Sequence, residues 1–295
     1  MSEILGVPVS ALSGQLLLGI INGSFYALLS LGLAVIFGLL KIINFAHGAM
    51  YMLGAMVAVI MFNTMGINYW AALFLAPLVV GCFGVLIEYF LLRRIAGQDH
   101  IYSLLLTFGV ALMMQGILTN IYGVSGMRYP LPEIFKGGFR LDFMYLPYYR
   151  AWVIGVAVVV CFGTWFVIEK TKLGAYLRAG TEDSQLMQGF GINVPLLISL
   201  TYGFGVMLAA FAGVLAAPIY SVNPVMGSNI LIVVFAVVVI GGMGSIAGAI
   251  ITGLLMGIVE GFTKVFYPEF SSAVIFLVMV IVLLIRPSGL FGKEA

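Results

Sequence analysis

Apolar residues run through this chain in long blocks, and the polar residues gather between the blocks instead of alternating with them. A helix needs ~20 apolar residues to cross ~30 Å of hydrocarbon. Bounding each run by charges and turn residues predicts nine spans, at about 12–40, 46–63, 69–92, 101–121, 150–168, 195–217, 228–241, 244–264 and 271–286, within a range of eight to ten crossings. The expected fold class is therefore all-α: a polytopic transmembrane helix bundle, one domain over residues 1–295. The first run is too long for one upright crossing, so it is expected to tilt or to break near Gly23 or Gly32. The seventh is too short and reads as a re-entrant or discontinuous piece, which is tolerated only where protein or a cavity surrounds it.

Small residues recur at four-residue spacing in the second half of the chain. Gly205, Ala209, Gly213 and Ala217 fall on one face of the sixth span, and Gly253, Gly257 and Gly261 stripe the eighth. Such stripes let helix backbones approach closely, as in membrane bundles. Two polar segments interrupt the apolar pattern. Residues 122–149 hold Pro130, Pro132 and Pro147, many aromatics and mixed charges, and read as an interfacial aromatic belt with a short amphipathic piece, or as a docking surface. Residues 169–195 are the longest stretch on the other side that a bilayer would reject. Within them Leu173, Tyr176 and Leu177 make an apolar face. Thr181 is placed to cap a second helix, Glu182 and Asp183 suit its first turn, and Gly191 can end it before Pro195. That second helix would carry Leu186, Met187 and Phe190 on one side. The resulting amphipathic hairpin either lies on the membrane surface or offers its apolar knobs to a groove on a soluble partner.

Composition agrees with the pattern. The chain is 63% hydrophobic and 8% charged, with mean hydropathy +1.18, against about one quarter charged in soluble domains. Of the 13 basic residues, Lys41, Arg93, Arg94, Lys170, Lys172, Arg178, Arg286 and Lys293 fall on one side if the spans alternate, and Arg128, Lys136, Arg140, Arg150 and Lys264 on the other. The richer side marks the cytoplasm, so the amino terminus is expected outside and the carboxyl terminus inside. No Lys or Arg precedes the first run, which is therefore expected to stay as a span and not to be cleaved as a signal peptide. A net charge of +2 leaves no basic patch for nucleic acid. Cys82 and Cys161 each lie inside a span and read as small core residues.

Few side chains are candidates for chemistry. HExxH, GxSxG and a Walker A sequence are all absent, so neither an intramembrane hydrolase nor an ATPase has its parts, and no catalytic or metal-binding residue is assigned. Ionisable residues within the spans are Glu88, about a turn from Arg93 and Arg94, and Glu260, four residues before Lys264. Glu88 reads as a local ion pair or a snorkelling side chain, and Glu260 with Lys264 as a structural pair. Asn22, Ser24 and Tyr26 in the first span, with Asn44 and His47 after it, are the candidates for a path lined by uncharged groups, suited to a zwitterionic solute. Interhelical hydrogen bonding would explain the same residues.

INFAHGAMYMLGA (43–55), TKLGAYLRAGTEDSQLMQGFGINV (171–194), GGMGSIAGAIITG (241–253) and RPSGLFG (286–292) together resemble the Liv-type permeases of ABC importers for branched-chain amino acids, the shorter, LivH-like kind in particular. The resemblance covers almost the whole chain, with four motifs in order. It implies a bacterial inner-membrane importer in which this permease domain and a second, LivM-like permease form the path, with two cytosolic ABC ATPases and a periplasmic solute-binding protein. Cofactors would be absent from this chain, ATP and Mg belonging to the ATPases. By the same resemblance residues 169–195 form the ATPase-coupling loop, and Gly174, Arg178, Ala179, Glu182, Asp183, Gly189 and Ile192 stand at the family's recurring positions. The more familiar EAA signature of other importers is only loosely met by TEDSQLMQG. A stand-alone secondary transporter or facilitator for small zwitterionic or neutral solutes (amino acids, urea, amides) is the competing expectation.

Overall fold

A computed structural model of the chain describes residues 3–4 and 7–292, with the backbone alone at residues 3, 4 and 7. The basic residue Lys293, used above for orientation, lies outside the described residues. After a short antiparallel pair, β1 (Glu3–Ile4) and β2 (Val7–Pro8), the chain is almost wholly helical. The helices are α1 (Val9–Leu40), α2 (His47–Met65), α3 (Tyr69–Phe90), α4 (His100–Tyr122), α5 (Tyr148–Lys170), α6 (Lys172–Glu182), α7 (Ser184–Gly189), α8 (Val194–Ala216), α9 (Met226–Gly241), α10 (Ile246–Phe266) and α11 (Val274–Ile285). Seven of them are long and apolar enough to cross a membrane, and α9 and α11 are shorter apolar helices.

Each predicted span is thus a helix, with two departures. The first is one unbroken helix of 32 residues, ~48 Å at 1.5 Å per residue. Its glycines do not break it; they admit other helices. A Cβ on Gly23 would lie 2.8 Å from the Leu254 carbonyl oxygen, and one on Gly257 would lie 2.3 Å from the Gly23 nitrogen, so α1 and α10 meet backbone to backbone. The last span shortens to 12 residues, because 271–273 belong to the turn that follows a 3₁₀ segment at Pro268–Phe270.

The chain divides into two compact units: residues 1–30, 131–162 and 233–295, and residues 31–130 and 163–232. In the first, Ala236, Val237 and Ile240 of α9 form a core with Met256 of α10 and Ile275 of α11. The terminal segment closes on the end of α9, Leu290 N–H bonding to Ile240 O at 2.8 Å and Phe291 N–H to Gly241 O at 3.1 Å. Two of the quoted motifs, 241–253 and 286–292, therefore meet in space. In the second unit α8 packs on α2 and α3. Its stripe is buried, with Ala209 at 0% and Ala217 at 2% exposure, and a Cβ on Gly213 would fall 2.0 Å from the Tyr51 carbonyl oxygen. Cys82 is exposed on α3 and Cys161 is buried on α5.

Between α4 and α5 an antiparallel ribbon, β3 (Gly138–Leu141) with β4 (Met144–Pro147), stands where an amphipathic piece was expected. Phe139 and Tyr145 are exposed on it, while Tyr149 just beyond is buried against Phe135. Ahead of the ribbon Tyr129 packs against Phe62 and Tyr69, and burial pushes its hydroxyl up to about 12.

Candidate functional site

The hairpin at 172–189 is built from capping chemistry. Asp183 leaves helical geometry at φ −138°, ψ 92°, ending α6, and its Oδ1 accepts from Leu186 N–H at 2.9 Å, starting α7. Thr181, expected as the cap, sits two residues too early. Its hydroxyl turns back to Leu177 O at 3.1 Å and Arg178 O at 3.0 Å inside α6. Gly191, at φ +81°, lets Ile192 N–H reach back to Met187 O, as a helix exit requires. Asn193 then caps α8 by accepting from Leu196 N–H at 3.1 Å, with Pro195 in the first turn.

The two faces of the hairpin differ. Beneath it, Gly174 lies on the end of α5, where a Cβ would fall 1.7 Å from the Ile168 carbonyl oxygen, so no larger residue fits. Arg178 donates to that same oxygen at 3.3 Å and stands 3.6 Å from Glu169. A cation is well placed against the unsatisfied carbonyls of a helix end. Leu177 is buried at 3%, and Gly180 faces Val194. On the outside Leu173, Tyr176, Leu186 and Phe190 are exposed, Phe190 at 75%. The expected face of Leu173, Tyr176 and Leu177 is thus split, Leu177 facing in and the other two out. Of the remaining positions, Glu182 and Gly189 are exposed, and Ala179 and Ile192 are half-buried.

Where the hairpin runs into α8, a polar clamp ties that junction to α3. Arg93 Nη2 donates to Pro195 O at 3.1 Å and to Ser199 Oγ at 2.9 Å, and lies 3.7 Å from Glu88 Oε2. Ser199 donates to the same carboxylate, which is 3% exposed. A buried carboxylate is tolerable only with such partners. Deeper in this unit Asn44 Oδ1 accepts from Ala46 N–H at 3.0 Å, turning the chain into α2, and its amide faces the buried Tyr202 hydroxyl. Thr107 of α4 accepts from Phe45 N–H at 3.0 Å, and His47 is buried at the start of α2.

The sequence matches the family model described as branched-chain amino acid transport system / permease component over residues 15–283. The chain belongs to this family. It is 32% identical to the high-affinity branched-chain amino acid transport system permease protein BraD of Pseudomonas aeruginosa over 294 residues, 95% of each chain. It is 30% identical to LivH of Escherichia coli strain K12, again over 95% of each. It is also 28% identical to LivM of Salmonella typhimurium, covering 90% of this chain and 67% of that one. No solved structure matches at a significant level.

In this permease the path candidates fall in two places. Asn22, Ser24 and Tyr26 belong to the first compact unit, and Asn44 and His47 to the second. Ser24 bonds to Ile20 O of its own helix at 2.8 Å. Tyr26 donates to Glu260 Oε2 at 2.6 Å, and Lys264 holds the other oxygen of that carboxylate at 2.5 Å. Asn22 is half-buried. Spacing offered Glu88 either Arg93 or Arg94 and paired Glu260 with Lys264; the structure selects Arg93, and spacing missed Ser199, 111 residues from Glu88, and Tyr26, 234 residues from Glu260. The one local signal for Ser199 was a hydroxyl in the second turn of a mostly apolar helix.

Proposed function

We propose that this chain is the transmembrane permease subunit of an ABC importer, forming with a second permease the path for branched-chain or related amino acids. Cytosolic ATPases, which carry the ATP and Mg, drive it through residues 169–195. The reading is supported above all by the hairpin, fixed to its own unit by Gly174, Arg178 and Leu177 while Leu186 and Phe190 remain uncovered. An amphipathic helix held this way is suited to a groove on a partner. The second permease is of LivM kind, since LivM proteins also resemble this chain, and a solute-binding protein delivers from outside. The hairpin faces the cytoplasm of a bacterial inner-membrane protein, with the amino terminus on the periplasmic side.

The chain's own residues supply a mechanical link. Displacement of the hairpin passes through Asn193 and Pro195 into α8, and Arg93 makes α3 follow, because it holds Pro195 and Ser199 together. Helices so tied shift as a body between inward and outward states. The decisive experiment is uptake of labelled leucine into proteoliposomes. With ATPases, second permease and binding protein present, uptake is expected to require ATP. Uptake by this chain alone would show a facilitator instead.

A further inference from the structure

A cleft of about 430 Å³ opens at the base of the hairpin, within the second unit, and none of the roles given above uses it. Thr181 and Ser184 of the hairpin line it together with Lys41 and residues of the α3–α4 connection. Leu40, Ile42, Leu92 and Ile198 supply apolar surface. Two opposite charges border this surface without being spent on each other. Among the described residues Lys41 makes no ion pair, and Asp99 engages Oδ1 alone, accepting from Ile101 N–H at 3.1 Å. Lys41 is also the one non-glycine residue with positive φ among those described, at +56°. A left-handed lysine costs ~1 kcal/mol or more, a strain that gathers at functional sites. Glycine would satisfy that backbone without strain, so the lysine side chain itself is what the strain retains.

We propose that this cleft binds a free α-amino acid with an aliphatic side chain, its carboxylate on Lys41 and its ammonium on Asp99, and that the occupant restrains the hairpin. The two basic and two acidic lining residues, Lys41 and Arg93 with Glu88 and Asp99, balance in formal charge, which suits a zwitterion and disfavours a free anion such as phosphate. An occupant touching Thr181 and Ser184 joins the hairpin to the α3–α4 connection and resists its movement. This restraint rests on the coupling role assigned to the hairpin. The binding does not.

The test is direct binding of labelled L-leucine to the purified full-length permease in nanodiscs, by scintillation proximity, for wild type, Lys41→Gly and Asp99→Asn. Lys41→Gly relieves the strained backbone, and asparagine still caps α4, so both variants should fold. Each is expected to weaken binding by about tenfold, and leucine methyl ester and 4-methylpentanoate, which lack one charge each, should not compete. No saturable binding, or equal binding in all three proteins, overturns the proposal. Phospholipid retained by wild type and lost from Lys41→Gly, with no leucine binding, assigns the cleft to a zwitterionic headgroup and equally overturns it. In the assembled importer, leucine on the hairpin side should slow ATP hydrolysis in wild type and not in Lys41→Gly; binding without slowing removes the restraint. Absence of ATP-driven uptake would strike the coupling reading and leave the binding result standing.

Discussion

The inner and outer faces of the α6–α7 hairpin are made of similar material and do opposite things. Leu177 and Leu186 are the same residue type, one 3% exposed and the other 58%. Gly174 and Gly189 are both glycines, one pressed on a carbonyl oxygen and the other facing open space. Charged residues divide in the same way, Arg178 reaching the end of α5 while the Glu182 carboxylate has no partner among the described residues. Residue type therefore says little about role here. Contact with the carbonyl end of α5 separates the residues that hold the hairpin from those that it offers.

Breaking the inner face should have the largest effect. Gly174→Val places methyl groups where even a Cβ does not fit, so α6 must leave α5. Thermal stability should fall by several kcal/mol, the range of severe overpacking, and ATP-driven uptake should vanish. If Gly174→Val matched wild type in melting temperature and uptake, the inner face would not be holding the hairpin. On the outer face Phe190→Ala should leave melting unchanged, since the ring touches solvent. It should reduce substrate-stimulated ATP hydrolysis about tenfold or more, as loss of an interface anchor does. A Phe190 variant with full stimulation would move the partner surface elsewhere.

Intermediate effects come from the clamp and from Arg178. Ser199→Ala leaves the buried Glu88 short of one donor and should cost about 1–3 kcal/mol, read in denaturation, with Glu88→Gln in the same background restoring part of it. Arg178→Ala loses a half-exposed pair worth about 1 kcal/mol or less, so any larger loss of coupling would show that position matters more than stability. Gly189→Ala should be silent in both measurements, and a defect there would reveal a partner pressed against that exposed site.

Much of this architecture is legible in the sequence because lipid accepts so few alternatives. Nine apolar runs became nine helices, and the hairpin was foreseen as two helices from its caps and knobs. The misses share one cause. Gly23 reads as a break from local propensity, but its use is the close approach of α10. Thr181 reads as the cap and Asp183 as a first-turn residue, because how far α6 extends is set by Leu177 and Arg178 packing on α5 and not by the local sequence. The β3–β4 ribbon was hidden in an aromatic-rich loop whose pairing, Arg140 opposite Tyr145, depends on register. In the clamp, the Glu88–Arg93 pair was readable at five residues' separation and Ser199 was not, because folding brings it there.

The long first helix carries a consequence for synthesis. In α1, 78% of the most apolar window is buried within the protein, and among its partners are α8 and α10, made much later. Tyr26 must wait 234 residues for Glu260. A helix made before α8 and α10 is therefore among the last to reach its final neighbours. Assembly of the bundle, more than insertion of any one span, should set the pace at which this permease matures.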